Sequence, residues 1–295
     1  MMTFLLSYAI NWAVFVFQAG PQQTEKYFDL TGSITYVSCT VYSLISGASP
    51  VTVTAYGVKT TVVDWTFNPR PLIQSLFVIL WALRLGSFLF SRIKKDSKDG
   101  RFDTIRINPP RFFAVWTIQG LWVILTAMPV FIVNAYGGSN SYLSNSDLNF
   151  VDFFGYFLWA VGFGLEVTAD KQKKDWAAKP ENKGKWIDVG LWHFSRHPNY
   201  FGEILLWLGQ FIAATSVLVD SQWVCILSPL FVVFLLCCVS GVPGLEKRSD
   251  EKFGGQTGYE LYKKTTSVLV ILPKYEMEND DKTETLIAPG TATVV

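Results

Sequence analysis

The stretch Trp223–Gly241 reads WVCILSPLFVVFLLCCVSG and contains no charged side chain. A helix needs about 20 predominantly apolar residues to cross the hydrocarbon core of a bilayer. The stretch therefore predicts a membrane-spanning helix, and this helix sets the class of fold for the rest of the chain.

The composition agrees with a membrane protein. Half of the 295 residues (50%) are hydrophobic, and only 17% are charged, below the quarter that is usual in soluble domains. The apolar residues form long runs between short charged loops. The 11 Trp, 12 Tyr and 23 Phe are suited to membrane–water interfaces. The net charge of +1 gives no reason to expect nucleic-acid binding.

Further apolar runs extend the pattern on both sides. The clearest additional spans are Leu72–Phe90, Phe112–Val133, Phe150–Ala169 and Glu203–Val219. Two less regular stretches, Thr3–Gln18 and Ser33–Val63, predict a retained first helix and one or two more helices. We therefore expect an all-α, polytopic membrane helix bundle of about seven or eight transmembrane helices. We expect residues 1–275 to form one membrane domain and residues 276–295 to form a flexible cytoplasmic tail.

The loops carry an orientation signal. Lys and Arg are concentrated in Ser91–Arg111, in Lys171–Arg196 and after Gly241, whereas Tyr136–Asn149 contains neither. The positive-inside rule places the three basic segments, and so the C-terminus, in the cytoplasm.

The segment Ser195–Glu203 (SRHPNYFGE) carries the most concentrated chemistry. Pro198 is suited to the first turn of a helix, since it lacks the N–H that is unpaired there. A helix N-terminus preceded by Arg196 and His197 could bind a phosphate or a carboxylate. The alternative is an anchor for lipid headgroups.

Helical spacing groups further polar residues. Glu166, Asp170 and Lys174 lie at i, i+4 and i+8, as do Asn199, Glu203 and Trp207. Ordinary i,i+4 pairing is the alternative for Asp170 and Lys174. The small residues Gly202, Gly209 and Ala213 form another face, where a neighbouring helix can approach closely.

Arg84 and Glu166 lie inside apolar runs, where charges usually face a bundle interior. We expect Arg84 to pair with Glu166 or Glu203. The four cysteines also lie in apolar runs, and we interpret them as buried hydrophobic residues rather than metal ligands. No metal site is expected.

Several motifs resemble those of the DUF1295 family, relatives of the steroid 5-alpha-reductase C-terminal domain. They are Gly190–Glu203 (GLWHFSRHPNYFGE), Thr24–Ser33 (TEKYFDLTGS), Trp81–Gly86 (WALRLG), Gln119–Trp122 (QGLW) and Glu166–Lys173 (EVTADKQK). The resemblance covers the chain up to about Lys274.

The resemblance implies a reductase that binds NADPH from the cytoplasmic side and reduces a carbon–carbon double bond next to a carbonyl in a lipid. It implies cofactor contacts at Glu166, Asp170, Lys174, Arg196, His197, Asn199, Tyr200, Glu203, Tyr259 and Tyr262, mainly within residues 150–275. It places Arg84 at the substrate, and Trp81 and Glu203 are the candidate catalytic residues. Trp81 stands where the steroid reductases have a Tyr, and Glu166 where they have an Asn.

Two other functions stay open. The Arg196-His197-Pro198 triplet is shared with isoprenylcysteine carboxyl methyltransferases, so a membrane methyltransferase that uses S-adenosylmethionine is one alternative. A non-catalytic subunit of a larger membrane complex is the other, and Trp81 favours it because an indole N–H is a poor proton donor. We expect membrane lipids and a lipid-like substrate as partners, in the endoplasmic reticulum or another internal membrane.

Overall fold

The structure is a computed structural model that describes residues 2–47, 50–55, 58–63, 69–96, 99–136 and 147–275. Within these residues the chain is helical apart from one two-stranded β-hairpin. The predicted flexible tail, residues 276–295, lies outside them.

The helices and strands follow one another along the chain in this order. The first half of the chain contains α1 (Met2–Val14), α2 (Gly20–Gln22), α3 (Phe28–Gly47), β1 (Pro50–Ala55), β2 (Val58–Val63), α4 (Pro69–Asp96), α5 (Pro109–Thr126) and α6 (Met128–Tyr136). The second half contains α7 (Phe150–Ala177), α8 (Pro198–Thr215), α9 (Leu227–Phe234), α10 (Val242–Phe253) and α11 (Thr257–Thr265). π-Helical turns join α1 to α2 at Phe15–Ala19 and extend α9 at Leu235–Val239.

Several helical stretches are long and apolar enough to cross a membrane. In the described part of the chain they are Met2–Gln22, Pro69–Lys95, Phe150–Ala177 and Asp220–Phe253, and the bent pair Pro109–Thr126 and Met128–Ala135 would make a fifth. Helices α3 and α8 contain no stretch apolar enough to be among them. The protein is thus a mainly helical integral membrane protein with four or five such spans in the part of the chain that the structure describes, and the predicted count of seven or eight is not confirmed.

The predicted span Phe112–Val133 is broken in the middle. Helices α5 and α6 meet at an angle of 56°. Pro129 lies in the first turn of α6, where it lacks an N–H and its ring excludes the carbonyl four residues earlier. A continuous helix through Ala127 is therefore disfavoured, and the proline explains the bend.

The stretch Ser33–Val63 contains one helix rather than two. Helix α3 ends at Gly47, and the chain then forms β1 and β2, which pair antiparallel with Thr52 opposite Thr61. Valine and threonine dominate both strands, and β-branched residues favour extended backbone over helix. Of the one or two helices predicted for this stretch, the structure thus contains one.

The predicted small-residue face is where α7 and α8 cross. A Cβ on Gly162 would lie 2.6 Å from the carbonyl oxygen of Gly202, and one on Gly209 would lie 2.6 Å from that of Gly155. Only glycine allows the two backbones to approach this closely. The predicted residue Ala213 also lies against Gly155. The crossing fixes how the start of α8 lies beside the end of α7.

The C-terminal segment folds back on the loop before α8. The Arg196 backbone N–H donates to the Ser267 carbonyl oxygen (2.9 Å), and Ser195 Oγ donates to the Leu269 carbonyl oxygen (2.7 Å). Helices α10 and α11 are thereby held next to the start of α8.

The cysteines only partly follow the prediction of burial. Cys39 and Cys225 are buried and Cys237 is half-buried, but Cys238 is exposed on the π-helical turn after α9. The apolar run around Cys238 faces outward at this position, so the prediction is wrong for this residue.

Candidate functional site

A cluster of charged side chains lies between α4 and α7. Arg84 Nη1 lies 2.5 Å from Glu166 Oε1, and Arg84 Nη2 lies 2.6 Å from Asp170 Oδ2. The two acids are one turn apart on α7, so one planar guanidinium can reach both. The Arg84 side chain is 18% exposed, against 3% for Glu166 and 10% for Asp170. The predicted pairing of Arg84 with Glu166 is present.

Trp81 supports this cluster from within the core. Its indole N–H donates to Glu166 Oε2 at 3.1 Å, and its side chain is buried. Its ring packs edge-on against Tyr36 and Trp207, each with centroids 5.0 Å apart. The only hydrogen that Trp81 can donate from its side chain is thus used to hold Glu166.

The start of α8 is joined to the same cluster. Helix α8 begins at Pro198, as predicted, with His197 as its N-cap residue. Asn199, the second residue of the helix, donates from Nδ2 to Asp170 Oδ1 (3.2 Å). Asp170 therefore accepts from Arg84 with one oxygen and from Asn199 with the other, and it links three helices.

Glu203 lies one turn further along α8 and is half-buried. In the described part of the chain no side chain or backbone group forms a hydrogen bond or an ion pair with its carboxyl group. It adds a third carboxyl group near one guanidinium, although no metal-binding group of His, Cys, Asp or Glu occurs among the described residues.

A cavity of about 710 Å³ opens at this end of the bundle. Its wall consists of Phe88, Ser91, Arg92, Ile93, Lys95, Asp99, Gly100, Asp170, Lys173, Lys174, Ala177, Ala178, Asn199, Tyr200, Ser240, Gly244, Leu245 and Arg248. Five of these side chains are basic and two are acidic. The cavity is thus positively charged, with Asp170 and Asn199 joining its wall to the buried cluster.

Four of the predicted cofactor residues line this cavity: Asp170, Lys174, Asn199 and Tyr200. Glu166 and Glu203 lie outside its wall. The prediction omitted the basic residues Arg92, Lys95, Lys173 and Arg248. Arg92 and Lys95 follow Arg84 at i+8 and i+11, so the helical spacing on α4 is a signal that could have identified them.

Arg196 and His197 bind an anion, but the anion belongs to the protein itself. Glu246 of α10 accepts from His197 Nε2 (2.8 Å) and lies 3.2 Å from Arg196 Nη2. Burial of the imidazole lowers the pKa of His197, although Glu246 acts in the opposite direction. Neither residue is part of the cavity wall, and the predicted clamp is a contact between α8 and α10.

Tyr259 and Tyr262 are buried in the C-terminal segment and also lie outside the cavity wall. The Tyr259 hydroxyl donates to Asp250 Oδ1 (2.9 Å), and the Tyr262 hydroxyl donates to the Trp192 carbonyl oxygen (2.8 Å). Burial raises the pKa of both phenols, so they remain neutral donors. In this arrangement they stabilise the folded-back segment.

Comparisons with known proteins show which sequences the chain resembles. A family model described as "Protein of unknown function (DUF1295)" matches residues 34–266. An uncharacterized protein of Schizosaccharomyces pombe is 24% identical over 170 residues, which are 48% of this chain and 48% of that protein. The match thus spans about half the length of this relative. No solved structure matches the chain significantly.

Proposed function

We propose, since the chain belongs to the DUF1295 family, that it is a membrane-embedded reductase that uses NADPH to reduce a carbon–carbon double bond in a lipid or sterol-like substrate. The observation that carries the proposal is the positively charged cavity, which adjoins the buried Arg84–Glu166–Asp170 cluster. A reductase of lipids needs both an aqueous site for an anionic cofactor and a polar centre at membrane depth.

The residues of the cavity fit a dinucleotide. Its volume of about 710 Å³ lies in the range of small-molecule sites. Arg92, Lys95, Lys173, Lys174 and Arg248 supply the charge that phosphate groups require. The rings of Phe88 and Tyr200 are also part of the wall.

The buried cluster holds the inner end of the site in place. Arg84 pairs with both Glu166 and Asp170, and Asp170 fixes Asn199 at the cavity wall. Because Trp81 donates its indole hydrogen to Glu166, we assign it a positioning role rather than a catalytic one.

Reduction of the double bond adds a hydride to one carbon and a proton to the other. When bound, NADPH supplies the hydride. We assign the proton transfer to Glu203, because its carboxyl group has no hydrogen-bond partner among the described residues and lies one turn deeper than Asn199 on α8.

The lipid substrate enters from the bilayer, and the cofactor enters from water. The proposed orientation therefore places the cavity and the C-terminus in the cytoplasm, where the basic segments are expected. The membrane is that of the endoplasmic reticulum or another internal organelle.

A thermal-shift measurement on the purified protein in detergent tests the proposal. At about a hundredfold excess over its Kd, NADPH stabilises the folded protein by about 2.7 kcal/mol. We expect Lys174→Glu to remove this shift, since a carboxylate in the wall repels the phosphates. The matched control is Lys171→Glu on the same helix. Lys171 is 74% exposed, pairs with Asp175 and is not part of the wall.

The alternatives predict different results. Stabilisation by S-adenosylmethionine and not by NADPH would identify a methyltransferase. No shift with either ligand, together with purification only as part of an assembly, would identify a non-catalytic subunit.

A further inference from the structure

Helix α10 carries residues of two kinds, which point in different directions. Gly244, Leu245 and Arg248 belong to the cavity wall, whereas Glu246 binds Arg196 and His197. We infer that Glu246 is a positioning residue that holds Arg248 at the cavity, where Arg248 binds a phosphate of the dinucleotide. The inference rests on the proposed function and deepens it.

The helical geometry separates the two roles. Residues 244, 245 and 248 lie on one side of a helix, since 100° per residue places i and i+4 close together. Glu246 and Arg248 are two positions apart, about 200° around the axis. The anchor of α10 and its cavity-facing cation therefore lie on nearly opposite faces, and the anchor cannot contact the ligand.

A second acidic residue anchors the same face. Asp250, one turn after Glu246, lies 2.6 Å from Lys263 Nζ and accepts from the Tyr259 hydroxyl (2.9 Å). The two acids attach α10 to the start of α8 and to α11. Rotation of α10 about its axis would break both attachments, so its opposite face stays directed into the cavity.

The same contacts explain why the predicted clamp does not bind the ligand directly. Arg196 Nη1 also donates to the Lys263 carbonyl oxygen (2.8 Å), and its side chain is only 11% exposed. With Glu246 as its counter-ion, Arg196 carries no free charge for a phosphate. The exposed cation on this part of the wall is Arg248.

A double-mutant cycle with NADPH as the probe tests the inference. The variants are Glu246→Gln, Arg248→Ala and the double variant, and NADPH affinity is measured with each purified full-length protein in detergent. We expect each single variant to weaken binding about tenfold, the loss of one charge-assisted contact. If Glu246 acts through Arg248, the double variant binds no more weakly than Arg248→Ala alone.

The matched control is Glu251→Gln, an exposed acid on α10 that pairs with Lys247 at 4.0 Å and is not part of the cavity wall. It should bind NADPH like the wild type. If Glu246→Gln cannot be purified, Glu246→Asp, which keeps the charge but shortens the side chain, replaces it in the cycle.

The outcomes separate this inference from the proposed function. If the wild type does not bind NADPH, the proposed function is wrong, and the inference with it. If the wild type binds and the two single effects add, or Glu246→Gln binds normally, the inference alone is wrong.

Discussion

Helices α4 and α7 are joined by two buried ion pairs of very different character. Arg70 and Asp152 pair at one end, with 1% and 0% of their side chains exposed. Arg84 pairs with Glu166 and Asp170 at the other end, where the guanidinium is 18% exposed. The two arginines are fourteen residues apart on α4, and so are Asp152 and Glu166 on α7. We call the Arg70–Asp152 pair the closed pair, and Arg84 with Glu166 and Asp170 the open pair.

The closed pair is fully satisfied by the protein. Asp152 accepts from Arg70 through two nitrogens (2.6 and 2.8 Å), from Ser216 (2.8 Å) and from the Asn149 backbone (2.8 Å). The open pair instead divides one guanidinium between two carboxylates and adjoins a cavity. The difference teaches that buried charge in this bundle occurs in two settings. Saturation of every acceptor serves stability, whereas the incompletely saturated carboxylates beside the cavity are where the proposed function places binding.

The largest expected effect comes from breaking the closed pair. Asp152→Asn removes the carboxylate that pairs with the buried Arg70 guanidinium, and we expect a loss of about 3–5 kcal/mol of unfolding free energy. Equilibrium denaturation in detergent measures it. Asp175→Asn, which removes an exposed partner of Lys171, is the control and should unfold like the wild type. Equal losses of unfolding free energy in Asp152→Asn and Asp175→Asn would contradict the view that the buried pair contributes more to stability than the exposed one.

A smaller effect is expected at the glycine crossing between the two pairs. Gly162→Ala places a Cβ 2.6 Å from the Gly202 carbonyl oxygen and should cost about 1–3 kcal/mol. The same substitution at Gly164, where a Cβ would meet none of the described atoms within 4 Å, should be neutral or stabilise by up to about 1 kcal/mol. The melting temperatures of the Gly162→Ala and Gly164→Ala proteins are compared with that of the wild type. A Gly162→Ala protein as stable as the wild type would contradict the close packing of α7 and α8.

The open pair should tolerate change better than the closed one. In Glu166→Gln, Arg84 keeps Asp170, and the amide oxygen still accepts one hydrogen bond. We expect a loss of only about 0.5–1.5 kcal/mol in the same denaturation assay, together with a reduced thermal shift by NADPH. A loss as large as that of Asp152→Asn would show that the two pairs do not differ in kind.

The smallest effect concerns pH and the contact between α8 and α10. His197 is faced by Glu246, Arg196 and Lys173, and burial lowers its pKa below the ordinary value of 6.5. As the pH falls, His197 in the unfolded chain therefore binds a proton near pH 6.5, before His197 in the folded chain does. The stability of the folded protein that depends on a neutral, buried His197 is thus lost as the pH falls below 6.5. Melting curves from pH 7.5 to 5.5 should show the loss.

His197→Gln should flatten this part of the pH dependence. His193→Gln, a change at the other histidine of the chain, is the matched control and should retain it. An unchanged profile in His197→Gln would assign the effect to other groups.

Features encoded by neighbouring residues could be predicted from the sequence. The start of α8 at Pro198, the glycine face of α8 and the intramembrane charges Arg84 and Glu166 each depend on spacing within one helix. The bend near Pro129 also had a local signal, since proline in an apolar run disfavours a continuous helix.

Features that depend on residues far apart in the sequence could not be predicted from local spacing. The anion at Arg196 and His197 could not be distinguished from a ligand, because Glu246 is about fifty residues away and the sequence does not show that α10 folds back. The cavity was incompletely predicted for the same reason, since α4, α7, α8 and α10 each contribute part of its wall.

The equal spacing of the two ion pairs has a mechanical consequence. Fourteen residues correspond to about 21 Å of helix. The two ion pairs are therefore two fixed contacts that keep α4 and α7 in a single axial alignment. A slide by one turn would leave Arg84 near an acid, since Glu166 and Asp170 are one turn apart, but it would move Arg70 opposite a different residue from Asp152. The closed end thus resists sliding of α4 along α7 for the whole length of the helix pair.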